Sequence, residues 1–228
     1  MSESGFNQEL KKLVADSQSA TAQIQTITEK VGATQKKTVK PDGGGDERFQ
    51  LKLAEDARDL LHALKAYPGT SGITAKARTM IAGADPLKDH PNLNYLRELK
   101  TASVDAVLDA FRILVVTGNY LKLDQSFKNE VISVYTDFLR HENKGLSDLR
   151  EAWAALAVLE LMIQRGWLPA TIQQQARQLA NEVNEERTKI TKSLKAVTGA
   201  ERATKAFQAD LKAGTEIMKK ALALIPAK

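Results

Sequence analysis

A seven-residue apolar register runs through the last quarter of the chain and limits what that quarter can become. Ala176, Val183, Ile190, Val197, Thr204, Leu211, Met218 and Ile225 follow at intervals of seven without a break. Leu179, Glu186, Ser193, Ala200, Phe207, Gly214 and Ala221 hold the companion position. A repeat of 3.5 residues per turn lies close to the natural period of an α-helix, so these side chains form one narrow seam that must pack along another helix. The seam has faults. Glu186 and Ser193 are polar, Gly214 is empty, and Thr198-Gly199 is a point at which the run can fold into two antiparallel helices. A hairpin is at least as well supported as a single rod.

A second seam opens the chain. Leu10, Leu13, Ser17, Ala20, Ile24, Ile27 and Val31 alternate spacings of three and four, which places them on one stripe of a helix that Gly32 is expected to end. Residues 1–33 read as an amphipathic docking arm. Residues 34–46 read as a linker, because Gly43-Gly44-Gly45 would cost a helix about 1 kcal/mol per glycine against alanine.

The middle, residues 47–170, reads as a helical bundle. Asp46 is placed to cap a helix carrying Phe49, Leu53, Ala57, Leu60, Leu61 and Leu64, which Pro68-Gly69 ends. A shorter helix over residues 71–82 and a loop over 83–91 come next. A helix over 92–117 presents Leu96, Leu99, Ser103, Val107, Ala110 and Leu114, with Gly118-Asn119 as its left-handed stop. Asp124 opens a helix bearing Phe127, Val131, Val134, Tyr135 and Phe138. Ser147 is the expected cap for residues 148–165, closed by Gly166, with Pro169 at the start of the next helix. The 148–165 helix is apolar nearly all round, Trp153 included, which assigns it to the centre. No stretch alternates with period two between hairpin turns. The expected fold is all-α, a bundle of about seven or eight helices with long heptad helices at both ends, and residues 171–228 form its basic C-terminal part.

Charge is localised. The net charge is +5 and the isoelectric point is near 9.3. Residues 171–228 hold eleven basic and six acidic side chains, which leaves 22 of each in the rest of the chain. Arg177, Lys205, Lys212 and Lys219 share one heptad position, with Lys220 adjacent, and form a basic stripe that suits phosphate backbones. No aromatic residue interleaves with them to stack single-stranded bases, so binding there would be independent of sequence. The plainer reading is a solvated helix face.

Several chemistries lack their residues. There is no cysteine, hence no disulfide, thiolate metal site or cysteine nucleophile. His62, His90 and His141 include two carboxylate neighbours, Asp59 and Asp137, at helical spacing, but the paired Glu-x-x-His motifs of a di-iron bundle are absent. No phosphate loop, dinucleotide glycine pattern, zinc-protease helix or serine elbow occurs. No enzyme activity, cofactor or metal is expected. The longest apolar runs fall short of the roughly 20 residues of a membrane span. With no basic n-region before an apolar run at the start, a cytoplasmic location is the default.

Ser19 to Gly32 (SATAQIQTITEKVG), followed by LAEDARDLLHALK from Leu53 to Lys65, resembles the start of a syntaxin N-terminal helical domain. The rest departs from that family. No C-terminal membrane anchor is expected from these residues, and Glu186 stands where the family's central layer has glutamine. The likeness is one of amphipathic helices, and no family membership rests on it.

The expectation is therefore a non-enzymatic structural or adaptor protein that self-associates or binds protein partners through its terminal seams. The seam residues are Leu10, Leu13, Ile24, Ile27, Val31, Val183, Ile190, Val197, Phe207, Leu211 and Met218. The alternative is a packaging-type protein binding nucleic-acid backbones through Arg177, Lys205, Lys212, Lys219 and Lys220.

Overall fold

A computed structural model describes residues 3–38, 47–67, 91–143 and 148–225. Within these the chain is all-α, with no strand among the described residues. The helices are α1 (Glu3–Thr38), α2 (Glu47–Ala66), α3 (Pro91–Tyr120), α4 (Gln125–Asn143), α5 (Leu149–Gln164), α6 (Gln173–Ser193) and α7 (Gly199–Leu224). Short 3-10 turns, Ala170–Ile172 and Leu194–Ala196, flank α6. Asp46, the three glycines at 43–45, the helix expected over 71–82 and the expected loop as far as His90 lie outside the described residues, whereas Pro91, the last residue of that loop by sequence, is the first of α3.

One core joins the helices. α3 and α5 run through it side by side: Asp105, midway along α3, meets Arg150 at the start of α5, and Gly118, near the end of α3, meets Trp167 just beyond α5. Phe111, Leu114, Val158, Leu159 and Met162 are fully buried between them and their neighbours. Tyr135 on α4 stacks edge-on against Phe111 and donates its hydroxyl to the carbonyl of Ala155 at 2.5 Å. α1 lies on α2 and α3, whereas α6 and α7 fold as a hairpin over α5. Thr198 and Gly199, the latter at φ 57°, make the corner, so the long heptad run is two helices.

Local chemistry explains most boundaries, and several differ from expectation. The cap of α5 is Asp148, one residue past Ser147. Its carboxylate accepts from the Glu151 N–H at 2.9 Å while Glu151 accepts from the Asp148 N–H, a reciprocal capping box. The other end of α5 is closed at Gly166 as expected. The Gly166 N–H donates to Ile163 and the Trp167 N–H to Met162, a Schellman motif.

Gly118-Asn119 does not end α3. The helix continues to Tyr120, and Lys122 takes the left-handed conformation at φ 51°, with its N–H on Asn119 and that of Leu123 on Gly118. Gly118 has a packing role, because a Cβ there would lie 3.0 Å from the Trp167 ring and 3.1 Å from Phe127. Gly32 likewise does not end α1, which runs on to Thr38. One glycine costs a long helix about 1 kcal/mol, less than the packing of the turns beyond it returns. Finally, α5 is central on one side only, since Trp153 is 50% exposed, and Phe49 at the start of α2 is exposed too.

Candidate interaction surfaces

The terminal seams are covered largely by the chain itself. Ile24 and Val31 are buried beneath α1, and Val183 and Met218 are buried within the hairpin and against α5. Ile27 and Ile190 are half-buried against the same core, and Val197, Phe207 and Leu211 are half-buried in the hairpin. Leu10 and Leu13 lie on α1, and their side chains fall outside the described ones. For Ile24, Val31, Val183 and Met218 this corrects the reading as a face left for another molecule. The physical reason is the fold-back: once α6 and α7 are antiparallel, each covers the other's narrow stripe and α5 covers both.

The buried face of α1 is also rotated from the apolar stripe. Among the described side chains of α1, Ser17, Thr21, Ile24, Thr28, Val31 and Thr34 are the buried ones, whereas Ala20 and Ile27 are only half-buried. The Thr21 hydroxyl donates to the Ser17 carbonyl at 2.7 Å and lies 3.1 Å from the Ser103 hydroxyl on α3. Thr34 donates to Oδ2 of Asp56 on α2 at 3.1 Å, and Lys30 reaches Oδ1 at 2.6 Å. Asp56 is nearly fully buried, and its ion pair holds the Lys30 ammonium above its ordinary pKa, chiefly through their hydrogen bond. Serine and threonine tolerate such a face because each hydroxyl has a nearby carbonyl or hydroxyl to satisfy it. Ser17, the one polar residue at a seam position of α1, is the available signal for this contact. The burial of Asp56 had none.

The basic stripe is interleaved with acids. Arg177 lies 4.0 Å from Glu160, Lys205 2.7 Å from Glu201, Lys219 2.7 Å from Glu216 and Lys220 2.6 Å from Glu182. Lys212 is exposed on the same side. The lysines hold the Glu216 carboxyl below its ordinary pKa, Lys219 most strongly. A phosphate arriving here would compete with carboxylates already in place.

Among the described residues, two clefts combine acidic with basic groups. One, of about 510 Å³, lies between the start of α5 and the hairpin and includes Asp148, Arg150, Arg187 and Asp210. Its carboxylates are engaged with the helix start: Asp148 caps α5 and Asp210 accepts from the Leu149 N–H at 3.2 Å. The second, of about 440 Å³, holds Asp59, His62 and the Lys65–Glu130 ion pair. The His141 side chain is outside the described ones. Among the described residues no group of three or more His, Cys, Asp or Glu is arranged to hold a metal, and no helix is long and apolar enough to cross a membrane.

The outer face of α5 is the surface that sequence reasoning missed. Arg150, Trp153, Ala157, Glu160 and Gln164 fall at spacings of three and four, the pattern of a helix-packing seam. Arg150, Trp153 and Gln164 are exposed, and Ala157 and Glu160 are half-buried. The two charged members are steadied from the sides, Arg150 by Asp105 of α3 at 2.5 Å and Glu160 by Arg177 of α6. Burial raises the pKa of Asp105 and nearby Asp148 adds to the rise, against the opposing pull of Arg150. The apolar composition of α5 conceals this face because Trp153 reads as a core residue.

Comparison with family models, with curated proteins and with solved structures finds no match to this chain.

Proposed function

We propose that this protein is a non-enzymatic structural or adaptor protein that works through protein–protein contacts in an oligomer or larger assembly. The observation that carries this reading is Trp153, 50% exposed in the second turn of the most apolar helix. A half-exposed tryptophan leaves a large apolar area in water, and tryptophan is among the residues most enriched at the energetic centres of protein interfaces. The flanking ion pairs give the face a polar rim, the usual anatomy of a contact patch. Leu51, 63% exposed on α2, adds a second apolar point.

The test is the size of the chain in the cells that make it, after mild cross-linking. A mass above 25.0 kDa supports the assembly reading, and a chain found only at that mass contradicts it. A second reading, sequence-independent binding of nucleic-acid backbones by the hairpin, is favoured by the concentration of positive charge in residues 171–228. The absorbance ratio of the freshly purified protein at 260 and 280 nm, read before and after a high-salt wash, separates the two. A salt-sensitive excess at 260 nm supports the second reading.

A further inference from the structure

We infer that the outer face of α5 binds the same face of a second copy of this chain, as an antiparallel two-fold pair. The inference rests on the assembly reading above and names its contact.

In an isologous interface each residue i meets residue j of the other copy and j meets i, so a suitable face must be its own complement in shape and charge. The exposed stripe of α5 has that property. A two-fold axis at the level of Ala155 sets Arg150 opposite Glu160 of the second copy and Trp153 opposite Ala157 of the second copy, each pairing occurring twice. The indole, the largest side chain on the face, meets the smallest, so a knob on each helix enters a hole on the other. The cation meets the anion. A parallel pair would instead stack Trp153 on Trp153 and Arg150 on Arg150, placing like on like.

The neighbouring helix agrees. Because Asp105 pairs with Arg150, the α3 residues level with Ala155 are those around Ala110. The exposed pair Asp109 and Arg112 flanks that level, so the same axis brings Asp109 opposite Arg112 of the second copy. The side pairs of Arg150 and Glu160 hold both charges in place without covering them, since their side chains remain 58% and 40% exposed. A contact made by one 16-residue helix and its flank falls at the low end of interface sizes, below about 1,200 Å² in total. The pair should therefore form and dissociate with concentration.

Sedimentation equilibrium of the full chain tests this, with four variants beside the wild type: Trp153→Ala, Arg150→Glu, Glu160→Arg and the double exchange. The wild type should move reversibly between 25.0 kDa and twice that mass. Trp153→Ala, an exposed change to a strong helix former, should leave the fold intact by circular dichroism and abolish the dimer. Each single charge reversal should weaken association roughly tenfold, and the double exchange should restore most of it, the mark of direct coupling. Within one chain the double exchange sets Glu against Asp105 and Arg against Arg177, so intramolecular effects alone would make it the worst of the three. A wild type that stays at 25.0 kDa up to about 1 mM, or a double exchange no better than the singles, overturns the inference. A dimer that survives Trp153→Ala also overturns it, while leaving the assembly reading standing on another face.

Discussion

Lys30 on α1 places its ammonium 2.6 Å from Oδ1 of Asp56 on α2, while Thr34, one turn further along α1, donates to Oδ2. Together they satisfy a carboxylate that the core would otherwise strand. Lys30→Met is expected to lower the melting temperature and to loosen α1, measurable as faster hydrogen exchange over residues 17–34. The pH dependence has a definite sign. The folded-state pKa of Lys30 is raised above 10.5, so its stabilisation is complete below the unfolded value and is lost as pH rises through the folded one. The difference in melting temperature between wild type and variant should therefore hold at neutral pH and shrink above about pH 10.5.

Gly32 and Gly118 both lie inside helices, and the same substitution should move stability in opposite directions at the two. A Cβ on Gly32 meets nothing within 4 Å, so Gly32→Ala should stabilise by roughly 1 kcal/mol through helix propensity. At Gly118 the new methyl would press on the rings of Trp167 and Phe127, both buried and unable to retreat. The cost of overpacking, about 1–3 kcal/mol, exceeds the propensity gain. Denaturant midpoints of the two variants, one above and one below wild type, check the pair.

Lys122 follows α3 with φ 51°, a conformation that costs a side chain roughly 1–2 kcal/mol and costs glycine little. Lys122→Gly should raise stability by up to about 1 kcal/mol, after the greater freedom of glycine in the unfolded chain is subtracted. Thermal melting at fixed pH measures it.

Asp105 has its pKa raised in the folded state, with burial as the main cause. A raised carboxylate pKa favours folding below the unfolded value, near 3.8, and that contribution is lost as pH rises through the folded one. Asp105→Asn should therefore show its best stability relative to wild type at neutral pH and lose that advantage near pH 3, where wild-type Asp105 is protonated in both states. Paired melts at the two pH values read this out.

These residues also show where sequence reasoning succeeds. The period of the apolar side chains identified an all-α fold and placed α2, α4 and α5, because 3.6-residue spacing is local information. Gly166 was legible as a helix end since nothing but backbone geometry is required of it. Gly118 looked the same in sequence, and its role depends on Trp167, 49 positions away. The buried face of α1 is offset from the apolar stripe because apolarity favours Ala20 and Ile27, whereas partners on α3 and α2 favour Thr21, which meets Ser103, and Thr34, which meets Asp56. Trp153 was assigned to the core because composition alone does not say which side of an apolar helix its neighbours leave open. The terminal seams looked incomplete because a stripe and the element that covers it are far apart in sequence.

Trp153 is 50% exposed in the single chain, and the proposed pairing would cover it with a second copy. In a Trp167→Phe variant Trp153 is the sole tryptophan, and its quenching by iodide can be followed from about 1 µM to about 1 mM protein, the span over which so small a contact exchanges. Strong quenching in dilute solution that falls, with a blue shift of emission, as concentration rises is the predicted result. Quenching that is equally strong at every concentration would contradict a covered Trp153.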